Sequence, residues 1–323
     1  MSFLFRSPKT KTLIQKRSEE TQEILDRIEE YLQGEIEEPM EVLVRFWEAQ
    51  AAVFTYKEIR EILKEEEIPE RIIREWQQDY SKLVTEHFEE RWTAAIDAGA
   101  KSNDRIKDFD FDLSETRVVN WIDGHGAEFV TRSTQEQKEA IKVFLRRSVK
   151  ESMGTDELAR LIRPCVGLTK PQVEANLRHY NTIKETLKSE HPKMQPAVIE
   201  RKARESSIKY AERQHRKRAK DIAQTEIARA YNKGADLAIL QAQEQGLMGR
   251  VRRIWITSGD DKVCDVCRAL NGKEIGMEEE FDSLFGNGKG KIPLKLKRSL
   301  FLHTEVPPAH PHCACGVLYE EID

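Results

Sequence analysis

Two groups of cysteine and histidine residues near the C-terminal end constrain this chain more than any other feature. The first is the pair Cys264 and Cys267, and the second is the run His-x-His-Cys-x-Cys over residues 310–315. A Cys-x-x-Cys turn points two thiolates at one metal ion, and two ligands from a distant segment complete a tetrahedron. Because thiolate and imidazole ligands together favour zinc, the sequence predicts a Zn²⁺ site that holds a long loop closed.

The second group offers more ligands than a four-coordinate site needs. We favour a site of three cysteines and one histidine, because His-x-x-Cys repeats the spacing of Cys-x-x-Cys. Its ligands are Cys264, Cys267, His310 and Cys313. Cys315 is the alternative in place of His310 or Cys313, and His312 is the least favoured ligand. The remaining interpretation is that the thiols are reduced and merely buried.

A thiolate-rich site of this kind is expected to be structural. A catalytic zinc keeps one position open for water, whereas here the supply of ligands closes the site. The neighbouring acids Asp260, Asp261 and Asp265 are read as turn-capping residues rather than general bases. No His-Glu-x-x-His arrangement is present. We therefore predict no enzymatic activity and no small-molecule substrate.

Composition and charge exclude several other classes of protein. No apolar run approaches the roughly 20 residues that cross a bilayer, so no membrane partner is expected. The N-terminus has no apolar signal segment. Five cysteines in 323 residues are too few for a disulfide scaffold. A net charge of −4 is unlike that of a protein that binds nucleic acid by charge alone.

Apolar residues at helical spacing predict a mainly α-helical chain with a small α+β module at its C-terminal end. We expect a flexible basic arm over 1–17, a helical region over 18–110, a second helical region over 111–247 and the zinc-binding module over 248–323. A long helix is expected from Pro196 to about Gly246.

Three local signals refine the helical prediction. Asp123-Gly-His-Gly126 is read as a turn. Ser133-Thr-Gln-Glu136 and Thr169-Lys-Pro-Gln172 are capping boxes, which predict that helices begin there.

Basic residues concentrate in two places, the early part of the long helix and the lysine-rich segment 289–298. Both could contact a partner or the phosphates of DNA. The helical candidates are Arg201, Lys202, Arg204, Arg213, Arg216, Lys217, Arg218 and Lys220. The alternative interpretation, a solvated helix face, fits the acidic total slightly better.

The C-terminal half resembles the phage head morphogenesis domain, also called the Mu F-like domain, of tailed-phage minor head proteins. Four segments within residues 115–318 carry the resemblance: the helix 224–232 (QTEIARAYN), Trp255–Gly272 with its Cys-x-x-Cys, the closing run 307–315 (PPAHPHCAC), and Gly167–Gln172. One departure is Ala314, where the family often has arginine. If that arginine binds a partner or phosphate, this chain lacks the contact.

The resemblance implies a minor capsid component that acts in procapsid assembly. Expected partners are the portal, scaffold or major capsid proteins, with packaged DNA as a further possibility. The expected location is the virion, in the capsid interior or at the portal vertex, and the host cytoplasm during assembly. Residues 111–247 would then be the helical part of the head morphogenesis domain.

Within the family-like helix, Thr225, Glu226 and Asn232 form a motif that could contact a partner. The interpretation we favour is a polar anchor between the long helix and the zinc module. Two other functions stay open: a DNA-binding protein for packaging or ejection, acting through residues 201–220 and 289–298, and a metal-dependent hydrolase, which would need an open zinc position.

Overall fold

The structure is a computed structural model that describes residues 8–106, 109–151, 155–259, 263–282, 303–311 and 313–322. In this part of the chain α-helices predominate and the C-terminal end carries a small antiparallel sheet, which confirms the predicted fold class. The helices are α1 (Pro8–Glu35), α2 (Glu37–Val53), α3 (Tyr56–Glu65), α4 (Glu70–Leu83), α5 (Glu89–Lys101), α6 (Thr116–Glu151), α7 (Thr155–Ile162), α8 (Lys170–Glu190), α9 (Pro196–Glu244) and α10 (Asp265–Leu270). None of these helices is long and apolar enough to cross a membrane.

The strands are β1 (Arg250–Ile256), β2 (Glu274–Gly276), β3 (Phe281–Asp282), β4 (His303–Thr304) and β5 (Gly316–Ile322). Strand β1 lies in the middle of a three-stranded sheet, and both β2 and β5 pair with it in antiparallel register. A second, two-residue pairing joins β3 to β4. The predicted strand over 251–256 is therefore present, and it is the centre of the module.

The chain divides into two compact units, each assembled from separate segments. The first, the sheet unit, comprises 1–37, 90–120 and 221–323; the second, the helical unit, comprises 38–89 and 121–220. The division along the sequence that we predicted stays a prediction. Helix α1 begins at Pro8, inside the segment expected to be a flexible arm.

The helical unit is built on amphipathic helices whose apolar faces pack against one another. Helices α3 and α4 bury Ile59, Ile62 and Trp76 in this core, and α6 adds Phe144. The capping box predicted at Thr169 is confirmed, since the Gln172 side chain accepts a hydrogen bond from the Thr169 amide at 2.9 Å. Helix α8 begins directly after it.

Two predictions about α6 were wrong. Residues 123–126, read as a turn, and 133–136, read as a helix start, both lie inside this helix. Glycine costs a helix only about 1 kcal/mol, which burial of neighbouring side chains offsets. His125 is buried and its ring stacks on Trp121 with centroids 4.6 Å apart, and Ser133 is also buried.

In the sheet unit, α5 and α9 cross at very close range. The backbones approach at Gly99 and Gly234, where a Cβ atom would lie 1.9 Å from the Tyr231 carbonyl oxygen and 2.0 Å from the Ile96 carbonyl oxygen, respectively. Only glycine fits both positions, because any side chain would overlap the opposing backbone. This crossing fixes the second half of α9, which is almost wholly buried from Ala230 to Ile239.

Candidate metal centre

The first pair of donors lies at the start of the short helix α10. Cys264 is the N-cap of this helix, and its Sγ accepts a hydrogen bond from the Cys267 amide at 3.4 Å. One turn of helix then brings Cys267 Sγ to the same side. Cys267 is buried, whereas Cys264 is half-buried. The local sequence therefore builds the turn that a Cys-x-x-Cys metal site requires.

His310 supplies the third donor from the segment that precedes β5. Its Nδ1 lies 2.7 Å from the Pro311 carbonyl oxygen. Because a carbonyl can only accept, Nδ1 must carry the proton in that bond, and the lone pair of the neutral ring is then on Nε2. Nε2 faces the two thiols, at 3.0 Å from Cys264 Sγ and 3.1 Å from Cys267 Sγ. A backbone partner on the other ring nitrogen is the usual arrangement for a metal-binding histidine.

Cys313 and Cys315 complete a cluster of five donors. Cys313 Sγ lies 3.6 Å from Cys267 Sγ, and Cys267, Cys313 and Cys315 form a second triad whose sulfur atoms lie within 4.8 Å of one another. Cys267 belongs to both triads. For a tetrahedral zinc with bonds of about 2.0–2.3 Å, ligand atoms lie roughly 3.5–3.8 Å apart. The spacing of these donors is therefore close to that of a metal site.

The electrostatics of the cluster favour a thiolate. Hydrogen bonding from the Cys267 and Cys315 thiols lowers the pKa of Cys313 well below its usual value, and the pKa of Cys267 is raised in return. The thiolate, not the thiol, is the species that binds metals. Cys313 and Cys315 are buried, so these two donors lie in an environment with little competing water.

A model of the family described as phage Mu protein F like matches residues 139–318, more than half of the chain. The chain belongs to this family. It is a phage head morphogenesis protein, and membership implies association with the virion and contact with other head components. The family is one of structural head proteins, which is consistent with the absence of enzymatic activity that we expected. Neither a curated protein nor a solved structure matches the chain significantly.

In this Mu F-like protein, the structure brings together the donors that the spacing suggested. Cys264, Cys267 and His310 converge, and Cys313 contacts Cys267. Cys315, the alternative ligand, lies in the second triad. His312, Asp260 and Asp261 lie outside the described residues, as does the lysine-rich segment 289–298. Asp265 lies in the first turn of α10.

The motif on α9 lies in the buried part of the helix. Asn232 Nδ2 donates to the Ala228 carbonyl at 2.9 Å and to the Cys315 carbonyl at 3.5 Å, so it links the helix to the cysteine segment. The Thr225 hydroxyl donates to the Asp221 carbonyl at 2.6 Å, and Glu226 is buried. These contacts favour the polar-anchor interpretation, particularly for Asn232.

Sequence reasoning missed the buried Arg253, which links several segments of the C-terminal module. Its guanidinium donates to the carbonyls of Gly276, Met277 and Glu279 on one side and to the Glu305 carbonyl on the other, the last at 2.8 Å. It also pairs with buried Asp236, with 3.2 Å between Nη1 and Oδ1. The Asp236 carboxylate accepts from Tyr319 and pairs with Lys233, which bonds Glu305 in turn. The sequence signal was weak, because Arg253 is one of three arginines in β1.

The basic candidates on α9 separate into two groups. Arg218 is buried; it donates to the Gly167 carbonyl, pairs with Glu136 and lies over the Trp47 ring. It was wrongly included in a partner surface, because its donors are used inside the helical unit. Arg204 is half-buried and bonds Glu157 at 3.4 Å. The other candidates are exposed: Arg201, Lys202, Arg213, Arg216, Lys217 and Lys220.

Proposed function

We propose that this Mu F-like head protein acts in procapsid assembly near the portal vertex, and that a structural zinc ion holds its C-terminal module, residues 248–323, in shape. The observation that carries the zinc proposal is the convergence of His310 Nε2 and two thiols, 3.0–3.1 Å apart, from segments more than 40 residues apart in the sequence. The partners we propose are portal, scaffold or major capsid proteins.

The donor set supports zinc rather than another metal. Three thiols and one imidazole are the soft and borderline ligands that zinc binds in closed tetrahedral sites, whereas carboxylates and waters would suit Mg²⁺ or Ca²⁺. Cys264, Cys267, His310 and Cys313 would hold the ion, with Cys315 as the alternative fourth ligand. Once bound, zinc supplies a cross-link between α10 and the segment before β5, and its affinity adds directly to the stability of the module.

Metal analysis of the purified full chain tests this proposal. We expect about one zinc per chain in the wild type, and loss of the zinc in Cys264→Ser together with increased proteolysis after residue 250. Cys165→Ala is the matched control, because Cys165 is a buried cysteine outside the cluster and bonds Asn176 instead. Retention of zinc in Cys264→Ser, or a metal-free wild type prepared without chelators, would overturn the proposal.

The two candidate fourth ligands can be distinguished in the same experiment. Substitution of a true ligand lowers zinc affinity strongly, whereas substitution of a neighbouring thiol has a smaller effect. We expect Cys313→Ser to lose zinc and Cys315→Ser to retain it. The opposite result would replace Cys313 with Cys315 in the ligand set and leave the structural role intact.

The role in assembly is tested with the phage components. We expect the chain to enter procapsids and to bind the portal protein in a pull-down with purified components, and we expect Cys264→Ser to do so poorly. Normal incorporation into capsids that lack portal, together with no binding to purified portal, would contradict the vertex location but not membership of the family.

A second candidate function, DNA contact, is favoured by one specific feature of α9. Six exposed basic residues lie on one side of the helix between positions 202 and 220, and none of them forms an ion pair with a described residue. They are Lys202, Lys209, Arg213, Arg216, Lys217 and Lys220. At 1.5 Å per residue they span roughly 27 Å, enough to follow several phosphates.

Salt dependence of DNA binding tests this second function. Six phosphate contacts predict a slope of log K against log salt of about −5. We expect the double variant Lys217→Glu/Lys220→Glu to weaken binding and to flatten this slope. Lys57→Glu/Lys64→Glu on α3 is the matched control, because both lysines are exposed. Equal losses of DNA affinity in the two double variants would show that the basic face is an ordinary solvated surface with no specific role in DNA binding.

A further inference from the structure

A pocket of about 360 Å³ in the helical unit is lined by three arginines, each from a different structural element of this unit. Arg160 lies in the last turn of α7, Arg163 in the short turn that follows it, and Arg204 on α9. Apolar atoms of Ala51 and Ile208 line the rest of the pocket, together with Tyr56 and Pro164. This combination of a recess, apolar walls and a few convergent charged groups is typical of a binding site.

The positive charge in this pocket is only partly compensated. Glu157 pairs with Arg204 at 3.4 Å, and its second carboxylate oxygen accepts the Tyr180 hydroxyl at 2.7 Å. Among the described residues, Arg163 has only carbonyl oxygens as hydrogen-bond partners, and Arg160 forms no hydrogen bond or ion pair. Two of the three guanidinium charges therefore lack a carboxylate.

The arginines differ in how firmly they are held. Arg163 Nε donates to the Ala51 carbonyl at 2.6 Å and Nη2 to the Ala52 carbonyl at 2.7 Å, so it closes the C-terminal end of α2. Its guanidinium also lies 5.3 Å from the centre of the Tyr56 ring. These contacts fix the plane of the Arg163 guanidinium and leave its Nη1 available to donate to a ligand. Arg160 is exposed and can adjust to a ligand. One guanidinium held by its neighbours and one that is exposed suit the capture of an anionic group.

We propose that this pocket binds a carboxylate-bearing segment of a partner protein, with an acidic side chain between Arg160 and Arg163 and an adjacent apolar side chain against Tyr56 and Ile208. Guanidinium groups bind carboxylates through paired, charge-assisted hydrogen bonds. This inference names a kind of partner for the proposed assembly role. It rests on that role only in expecting the partner among the other components of the phage head.

A peptide fits this pocket better than DNA does. Phosphate contacts come from basic and polar side chains, backbone amides and helix N-termini, and none of these needs the apolar walls that this pocket provides. The pocket residues Arg204 and Ile208 are half-buried, whereas the basic face considered for DNA consists of exposed α9 residues. The pocket is therefore a separate surface with its own ligand chemistry.

The test uses the full chain and a labelled ten-residue peptide of alternating Glu and Leu, with fluorescence anisotropy at physiological salt. We expect saturable binding that a peptide with Gln in place of Glu does not show. Arg160→Glu should weaken binding at least tenfold and Arg160→Gln by less. Both variants should fold, because Arg160 is exposed and has no partner among the described residues. Arg74→Glu, an exposed arginine on α4, is the matched control and should change binding less than twofold.

Several outcomes would overturn the inference. Equal losses in Arg74→Glu and Arg160→Glu would indicate general attraction by surface charge. Binding of a duplex oligonucleotide, but not the acidic peptide, that is lost in Arg160→Glu would assign the pocket to DNA. Self-association of the chain that Arg160→Glu abolishes would assign it to a second copy. None of these results depends on capsid assembly, so failure here is distinguishable from failure of the proposed assembly role.

Discussion

The crossing of α5 and α9 predicts that two chemically identical substitutions have opposite effects on stability. In Gly234→Ala the new methyl carbon would lie 2.0 Å from the Ile96 carbonyl oxygen. A normal contact between carbon and a carbonyl oxygen is about 3.3 Å, so the helices would have to separate by roughly 1 Å. Overpacking of this kind costs about 1–3 kcal/mol, and alanine returns up to about 1 kcal/mol of helix propensity. We expect a net loss of about 1–2 kcal/mol.

Gly124→Ala is the control, because Gly124 lies inside α6 with no atom within 4 Å of the added methyl group. Here the gain in helix propensity is unopposed, and we expect stabilisation of about 0.5–1 kcal/mol. Urea unfolding followed by circular dichroism measures both changes. A neutral or stabilising effect of Gly234→Ala would refute the argument that the backbones of α5 and α9 leave no room for a side chain. A double variant with Gly99→Ala should cost less than the sum of the single variants, because one separation of the helices relieves both overlaps.

Three further predictions concern buried groups and the metal centre. Arg253→Met leaves the Asp236 carboxylate buried without its guanidinium partner, so the free energy of unfolding measured in urea should fall by about 3–5 kcal/mol. A loss below about 1 kcal/mol would contradict the linking role of Arg253. Burial lowers the pKa of His215 to about 4, so the folded state binds its proton less readily than the unfolded chain, in which the pKa is about 6.5. Stability should therefore fall as the pH drops from 6.5 to 4, and the His215→Gln variant should lose less stability over the same range; parallel pH profiles would refute this. Chelation of zinc at neutral pH should expose the segment around Cys267 to protease and leave the region before residue 220 protected, and uniform proteolysis would argue against a local metal cross-link.

The parts of the candidate metal centre that the sequence predicted are those in which residue spacing alone determines which side chains come together. The side chains of Cys264 and Cys267 were expected to point to the same side, because one helical turn separates the two residues. His310 was predicted as a ligand from its spacing to Cys313. The fourth ligand was not determined, because Cys313 and Cys315 are two residues apart and both reach Cys267. Spacing does not distinguish two thiols on an irregular segment.

The errors have a common physical cause, which is that burial outweighs local preference. The glycines at 124 and 126 predict a turn, yet tertiary packing keeps α6 continuous through them. Arg218 and Arg253 look like surface residues in the sequence, but each is buried with its donors bonded to carbonyl oxygens and a carboxylate. The capping box at Thr169 was predicted correctly because its hydrogen bonds form within four residues and need no tertiary partner.

The hydrogen bonds of Arg253 have a consequence for how this protein can change over generations. Its guanidinium binds the chain at Gly276–Glu279 and again at Glu305, and it pairs with the buried Asp236 carboxylate. One side chain on β1 therefore satisfies acceptors from three separate segments of the sequence. A substitution at position 253 removes the donor from all of them at once, and each buried acceptor left unsatisfied costs about 1–3 kcal/mol. We therefore expect Arg253 and Asp236 to be replaced together or not at all in the descendants of this sequence.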